Sequence, residues 1–239
     1  IKYQRKIFLK KAGFMMDNNT SNAMDIVMDN VRNRVDYTLY LVTDRSMLSG
    51  MTLEEAVEQA ILGGVTLVQL REKDVSTLEF YNIALKLKNI TDKYHIPLII
   101  NDRLDIMLAV GAAGLHVGQD DMPAKIAREL IGKDKILGVS ASTVDEAIKA
   151  EKDGADYIGV GAIFETGTKR DVEHVSIPQL KEIAGRVGIP VVAIGGINEN
   201  NVGMLKGTGI KGVAVVSAIM GRKDAKKASE NLKSMLKFI

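Results

Sequence analysis

Short apolar runs rich in β-branched residues alternate along the chain with amphipathic stretches of helical period. The runs are almost continuously hydrophobic, which is typical of parallel strands that are buried on both faces. They predict eight strands, at Tyr37–Val42, Thr66–Leu70, Pro97–Ile100, Gly114–His116, Ile136–Val139, Tyr157–Val160, Val191–Ile194 and Val213–Val216. Helices are expected between them, as in repeated βα units.

Two of the predicted helices carry a start signal of their own. Thr52 stands three residues before Glu55, and Thr143 stands three residues before Glu146. In both places a hydroxyl and a carboxylate can each accept a hydrogen bond from the backbone at the first turn. Both pairs therefore predict a capping box.

Eight βα units within 239 residues predict a single-domain (β/α)8 barrel, a TIM barrel, because such barrels need roughly 200 to 250 residues. The rival fold is a doubly wound open sheet. Its dinucleotide-binding form places a Gly-x-Gly-x-x-Gly turn after the first strand, where this chain has Thr43-Asp44-Arg45-Ser46. The sequence therefore favours the barrel.

The first residues are interpreted separately from the barrel. Residues 1–23 are basic and irregular and end in Ser-Asn-Ala directly before Met24, which is typical of a cleaved expression tag. We expect 1–23 to be a tag remnant and 24–239 to form the barrel, with an extra N-terminal helix at Asp25–Arg34. A genuine basic leader is the alternative.

Composition narrows the classes of function. The net charge of +2 is too small for a nucleic-acid coat or a polybasic membrane anchor. The chain contains no cysteine, which excludes disulfides, thiolate zinc sites and cysteine nucleophiles and favours a cytoplasmic location. The apolar runs fall short of the roughly 20 residues that a membrane-spanning helix needs. We therefore expect neither nucleic-acid nor membrane partners.

The second predicted strand runs into a cluster of cations. Alternation places Gln69, Arg71 and Lys73 on one side of the extended chain and Glu72 on the other. Because active sites of barrels lie after the strands, these side chains predict a site for an anionic ligand. The alternative is that Arg71 and Lys73 are solvated loop charges.

Carboxylates follow the third and fourth strands. Asp102 comes after Asn101, and Asp121 ends the segment that follows His116. Two carboxylates together with a substrate phosphate suit Mg2+. The alternative is that each aspartate caps a helix, Asp102 before Arg103 and Asp121 before the first-turn proline.

The last three strands predict a phosphate site. The loop after the sixth strand holds Thr166, Thr168 and Lys169, and the seventh strand ends in Gly195-Gly196. Ser217 follows the eighth strand, where barrels commonly bind phosphate through backbone N–H groups. A tight turn is the alternative explanation for the glycine pair.

Two anion sites predict two phosphorylated ligands, and no nucleophile is paired with a base in the sequence. His95 and His174 lie away from the strand ends, whereas His116 ends a strand and suits either the packed interior or the pocket lining. A reaction driven by departure of a metal-bound diphosphate needs no such pair.

In this order along the chain, the motifs resemble those of the thiamine-phosphate synthase family. The resemblance rests on these segments: Gln69-Leu70-Arg71-Glu72-Lys73, Asn101-Asp102, His116-Val117-Gly118-Gln119-Asp120-Asp121, Gly138-Val139-Ser140, Thr166-Gly167-Thr168-Lys169, Ile194-Gly195-Gly196-Ile197 and Val216-Ser217. The resemblance implies a (β/α)8 enzyme that joins 4-amino-2-methyl-5-hydroxymethylpyrimidine diphosphate to 4-methyl-5-(2-phosphoethyl)thiazole. Thiamine phosphate and diphosphate are its implied products, formed after Mg2+-assisted loss of diphosphate.

The resemblance also implies roles for single residues. The implied pyrimidine diphosphate contacts are Gln69, Arg71, Lys73, Asn101, Ser140 and Lys169. Of these, the implied catalytic residues are Arg71, Lys73, Ser140 and Lys169. The implied thiazole phosphate contacts are Thr166, Thr168, Gly196, Val216 and Ser217. The implied Mg2+ ligands are Asp102 and Asp121.

The chain departs from the family pattern in the loop after the sixth strand. Many members read Gly-Pro-Ile-Phe-Pro-Thr there, whereas this chain has Ala162 and Glu165 in place of the prolines. Two alternatives to the synthase share the barrel: a thiazole tautomerase and a non-catalytic thiamine-phosphate-binding protein. The complete diphosphate and metal set argues for the synthase. The oligomeric state is left open, with a homo-oligomer as one option.

Overall fold

The structure is a computed structural model that describes residues 35–165, 174–237 and 239. Its strands are β1 Leu39–Val42, β2 Leu67–Leu70, β3 Leu98–Asn101, β4 Gly114–Val117, β5 Ile136–Ala141, β6 Tyr157–Val160, β7 Val191–Ile194 and β8 Gly212–Val215. Its α-helices are α1 Leu53–Leu62, α2 Thr77–Lys93, α3 Leu104–Val110, α4 Ala124–Ile131, α5 Val144–Lys152, α6 Ile177–Arg186, α7 Ser217–Met220 and α8 Ala225–Met235. The helix expected at Asp25–Arg34 lies outside the described residues.

The strands form a closed parallel barrel in sequence order, with β8 pairing back to β1. The barrel predicted from the apolar runs is therefore confirmed. Apolar side chains between the barrel and the surrounding helices form the core, which is typical of this fold. An α-helix connects successive strands except between β7 and β8, where the described chain has only a short 3-10 helix at Val202–Leu205.

The predicted bounds of several strands need correction. The last strand is Gly212–Val215 rather than Val213–Val216, because Gly212 pairs with Val192 and Val216 has left the extended conformation, with φ −117° and ψ −84°. β5 continues through Ser140 to Ala141, two residues beyond its predicted end. Ser140 is thus a strand residue, paired with Gly159 of β6, and not part of a loop.

Both predicted capping boxes are present. The Thr52 hydroxyl accepts from the Glu55 N–H, and the Glu55 carboxylate accepts from the Thr52 N–H. Thr143 and Glu146 make the same reciprocal pair at the start of α5. Each box satisfies backbone donors that the first helical turn would otherwise leave unpaired.

Glycine makes room inside the barrel at one position that matters for the site. A Cβ atom on Gly138 would lie 2.3 Å from Tyr157 Oη and 2.5 Å from His116 Nδ1. Real Cβ contacts are never so short, so any other residue at 138 would displace the tyrosine or the histidine. The strand pairing of Gly138 with both neighbours, His116 and Tyr157, explains this close approach.

One arginine joins the chain segments that precede β5 and β6. Arg128 of α4 donates to the carbonyls of Gly154, Gly132 and Lys135 and pairs with Asp156 at 2.5 Å. We expect Arg128→Ala to lower the free energy of unfolding by about 3 kcal/mol, because it removes the guanidinium that pairs with the largely buried Asp156 and donates to three carbonyl groups. Urea unfolding of both proteins measures the change.

The exposed pair of Arg186 and Glu182 supplies the matched control, since its atoms lie 3.9 Å apart and both side chains are more than half exposed. Arg186→Ala should change the free energy of unfolding by less than about 1 kcal/mol. An equal loss in both variants would contradict a structural role for the Arg128 cluster.

Among the helices of the described residues, none is long and apolar enough to cross a membrane.

Candidate active site

A cavity of about 500 Å³ opens at the carboxyl-terminal ends of the strands. It is lined by every described residue that the sequence predicts for the site, namely Gln69, Arg71, Lys73, Asn101, Asp102, Asp121, Ser140, Gly196, Val216 and Ser217. Thr166, Thr168 and Lys169 lie outside the described residues. The barrel therefore gathers residues from β2 to β8 around one space.

The loop after β2 is held by the loop after β1. The Arg71 N–H donates to Thr43 Oγ1 at 3.1 Å, and the Arg71 guanidinium lies 3.8 Å from Asp44 Oδ2. Glu72 points to the other side, as alternation predicted, and accepts from Arg45. Burial raises the pKa of Glu72, and the Arg45 ion pair opposes that rise. Glu72 thus pairs with Arg45 on the side away from the cavity, whereas the Arg71 and Lys73 side chains line the cavity.

Two carboxyl groups meet at the mouth of the cavity. The carboxyl groups of Asp102 and Asp121 lie close enough to shift each other's pKa, and Lys73 Nζ lies 2.5 Å from Asp102 Oδ2. Burial raises the pKa of Asp102. Burial acts in the same direction on Asp121, but the neighbouring Asp102, the hydrogen bond from the Gly118 N–H and the charge of Lys73 outweigh it and lower the pKa of Asp121. The two carboxyl groups thus lie side by side, where a divalent cation would relieve the repulsion between their charges.

The structure rejects helix capping as the reason for these aspartates. Arg103 and Pro123 occupy the cap positions of α3 and α4, and neither helix has a side-chain cap. Asp121 instead accepts from the Gly118 N–H at 2.8 Å within its own loop. The capping alternative fails because each aspartate lies before the cap residue of its helix.

Among the described residues, no third acidic or histidine ligand joins the pair. Within the ranges that the structure describes, no three His, Cys, Asp or Glu side chains are arranged to hold a metal ion. Two carboxylates with the remaining positions left to water and phosphate are nevertheless what a Mg2+ site usually offers. The donor set of Asp102 and Asp121 therefore fits that ion.

The opposite wall of the cavity comes from the ends of β7 and β8. Gly196 has φ +66°, and a Cβ there would lie 2.4 Å from the carbonyl oxygen of Glu165, so only glycine fits. The Gly196 carbonyl accepts from the amides of Asn198 and Asn201 at 3.0 and 2.9 Å. Gly195 and Gly196 both have positive φ in a backbone bend, and both line the cavity. Phosphate binding by Gly196 stays a prediction.

The two replacements of the family's prolines have different surroundings. Ala162 is buried and contacts Gly195 closely, so its small side chain suits the approach of the β6 and β7 loops. Glu165 is exposed. A carboxylate in solvent changes the potential at the site little, because water and salt screen it.

His116 is packed in the interior of the barrel and also lines the cavity, so both placements that the sequence left open apply to it. It is 8% exposed, lines the cavity, and contacts Tyr157 Oη through Nδ1 at 2.9 Å and Ser140 Oγ through Nε2 at 3.0 Å. Sequence reasoning missed Tyr40 and Tyr157, which also line the cavity. The sequence did offer one signal for Tyr157. It is a tyrosine in an otherwise aliphatic strand, and it pairs with the small residue Gly138 of the neighbouring strand.

Comparison with known proteins gives the family. The profile described as Thiamine monophosphate synthase matches residues 39–219. Thiamine-phosphate synthase of Clostridium tetani is 64% identical over 198 residues, which cover 83% of this chain and 95% of that protein. This chain belongs to the thiamine-phosphate synthase family. The family resemblance and the barrel predicted from the sequence are thereby confirmed.

Other members of the thiamine-phosphate synthase family agree. The enzyme of Ruminiclostridium cellulolyticum is 62% identical over 202 residues, which cover 84% of this chain and 96% of that protein. A solved thiamine phosphate pyrophosphorylase from Pyrococcus furiosus superposes with a TM-score of 0.78 at 40% identity, and covers 86% of this chain and 97% of its own. The family assignment therefore holds for sequence and fold alike, and it makes this chain a transferase.

Proposed function

We propose that this chain joins 4-amino-2-methyl-5-hydroxymethylpyrimidine diphosphate to 4-methyl-5-(2-phosphoethyl)thiazole and releases thiamine phosphate and diphosphate. The observation that carries the proposal is a single cavity with cations and paired carboxylates on one wall and the β7 and β8 turns on the other. A cavity of this size suits two small substrates side by side.

The wall at β2, β3 and β4 fits the diphosphate. Arg71 offers a planar fork of donors and Lys73 a mobile ammonium, and both suit phosphate oxygens. Asp102 and Asp121 would hold Mg2+, since a divalent cation would balance the charges of two neighbouring carboxylates. When bound, Mg2+ supplies a Lewis acid for the negative charge that develops on the departing diphosphate. Lys169 is proposed as a further cation for the same group.

The reaction needs cations more than it needs a base. The bond between the pyrimidine methylene carbon and the diphosphate oxygen breaks, and its electron pair leaves with the diphosphate. The lone pair of the thiazole nitrogen then forms the new bond to that carbon. This nitrogen carries no proton, so no residue has to remove one. Arg71 and Lys73 lower the barrier because they stabilise the charge on the leaving group.

The wall at β7 and β8 is proposed to hold the phosphate of the thiazole substrate, through Gly196, Val216 and Ser217 together with Thr166 and Thr168. Ser217→Ala should raise the KM for the thiazole phosphate by about fivefold, because it deletes one hydrogen bond to the anion. The KM for the pyrimidine substrate should stay the same. Initial rates at varied thiazole phosphate measure the effect.

Ser234→Ala is the matched control for that variant, since Ser234 is exposed on α8 and its hydroxyl donates to the Asn231 carbonyl of the same helix. It should leave both KM values unchanged. A wild-type thiazole KM in Ser217→Ala would remove this serine from the phosphate site.

The proposed function is tested by mixing the protein with both substrates and separating and identifying the products. Purified protein should convert the pair to thiamine phosphate and should do nothing to either substrate alone. Isomerisation of a thiazole phosphate without coupling would favour the tautomerase alternative. Tight binding of thiamine phosphate without turnover would favour the non-catalytic alternative. Relatives of 53–64% identity that are all named thiamine-phosphate synthase support the coupling reaction.

A further inference from the structure

Five polar side chains form one continuous hydrogen-bonded chain across the interior of the barrel. Gln69 Nε2 donates to Tyr40 Oη at 2.7 Å, and Tyr40 Oη lies 2.8 Å from Tyr157 Oη. Tyr157 then contacts His116, and His116 contacts Ser140, as described above. Gln69 and Ser140 stand at the two ends, on β2 and β5, and both line the cavity. We call this set the buried relay.

The hydrogen at each link of the buried relay can be assigned. Tyr40 and Tyr157 are 1% and 0% exposed, and burial raises the pKa of both phenols, so each keeps one hydrogen to donate. Tyr40 already accepts from Gln69. If Tyr157 also donated to it, no acceptor within the described residues would remain for the Tyr40 hydrogen. A buried donor without an acceptor is costly, so Tyr40 donates to Tyr157.

The remaining links follow from the first. Tyr157, which accepts from Tyr40, donates to Nδ1 of His116. An imidazole that accepts at Nδ1 carries its hydrogen on Nε2, so His116 donates to Ser140 Oγ. The hydroxyl hydrogen of Ser140 is then left for the cavity. At the other end, the amide nitrogen of Gln69 is turned to Tyr40, which leaves the amide oxygen for the cavity.

We propose that the buried relay makes Tyr40, Tyr157 and His116 positioning residues that set one acceptor, on Gln69, and one donor, on Ser140, for the pyrimidine ring. The inference rests on the proposed function, because it takes the aminopyrimidine as the ligand. The exocyclic amino group of an aminopyrimidine donates and would bind the acceptor on Gln69, and a ring nitrogen accepts and would bind the donor on Ser140. A 4-oxo analogue presents an acceptor where the amino group donates, and is rejected.

The test is the ratio of two dissociation constants, for the 4-oxo pyrimidine diphosphate and for the aminopyrimidine diphosphate. Calorimetry with Mg2+ and without the thiazole substrate measures both. The wild-type ratio should be on the order of 100 or more, because an inverted ligand leaves buried polar groups unpaired. Tyr157→Phe interrupts the buried relay, frees the His116 ring to change tautomer, and should lower the ratio at least about tenfold.

Tyr37→Phe is the matched control. Tyr37 is buried, and its ring centre lies 5.0 Å from that of Tyr157, but it neither joins the buried relay nor lines the cavity. The ratio should stay at its wild-type value in this variant. Tyr40→Phe interrupts the relay at another link and should reproduce the loss, so the test survives if Tyr157→Phe does not fold.

The outcomes separate the two proposals. A lowered ratio in Tyr157→Phe or Tyr40→Phe, with Tyr37→Phe unchanged, supports the buried relay. Equal weakening of both ligands, with the ratio preserved, means that the tyrosines act only through packing and overturns it. Wild-type protein that binds the 4-oxo analogue as tightly as the aminopyrimidine also overturns it. Wild-type protein that binds neither ligand overturns the proposed function as well.

Discussion

Asp121→Asn is expected to lower kcat by at least about 100-fold at millimolar Mg2+, because a metal ion at a diphosphate stabilises its charge by several kcal/mol. Asparagine keeps an oxygen that can accept from the Gly118 N–H, so the loop should hold its conformation. The variant loses only the negative charge that faces Asp102. Initial rates over a range of Mg2+ concentrations measure the effect, and thermal unfolding checks the fold.

Asp120→Asn is the control for that variant. Asp120 is the neighbouring carboxylate and also lines the cavity, but its side chain is exposed, whereas that of Asp121 accepts from the Gly118 N–H. It should retain most of the wild-type rate and the wild-type dependence on Mg2+. If Asp121→Asn were as active as the wild type, Asp121 would not be a metal ligand, and the paired carboxylates would need another explanation.

Lys73→Ala should lower kcat/KM for the pyrimidine diphosphate by at least about 100-fold, since it removes a cation from the leaving group. The KM for the thiazole phosphate should change little, because Lys73 lies on the opposite wall of the cavity. Removing Lys73 also takes away the ammonium that pairs with Asp102 at 2.5 Å. Steady-state rates with each substrate varied in turn distinguish these effects.

Lys73→Arg should recover part of the loss, since the charge remains but its position changes. Lys86→Ala is the control on the outer surface, where Lys86 pairs with Glu54 at 3.0 Å away from the cavity. It should be fully active. A loss confined to the KM for the thiazole phosphate in Lys73→Ala would place the diphosphate elsewhere in the cavity.

The barrel could be predicted because each buried parallel strand is a continuous apolar run, and a run of that kind is visible in the sequence. The predicted ends of the strands were less accurate. β5 continues through Ser140 because its pairing with Gly159 extends the ladder, and pairing is not visible in one segment. The expected helix between β7 and β8 is replaced by the short 3-10 helix at Val202–Leu205.

The residues of the site were predictable where a polar side chain follows an apolar strand, as for Arg71 and Asp102. Their local neighbours misled in two respects. Asp102 and Asp121 each precede a helix and therefore suggested caps, whereas the fold turns them toward one another. The link from Tyr40 through Tyr157 to His116 joins strands that are far apart in sequence, so no local pattern indicated it.

The cytoplasmic location and a homo-oligomer stay predictions.

One measurement tests the central claim that this cavity couples the two substrates by release of diphosphate. Protein freed of divalent cations is mixed with both substrates, and thiamine phosphate and diphosphate are quantified before and after Mg2+ is added. We predict no product before the addition and equal amounts of the two products after it. Diphosphate release without thiamine phosphate, or full turnover without a divalent cation, would contradict the account.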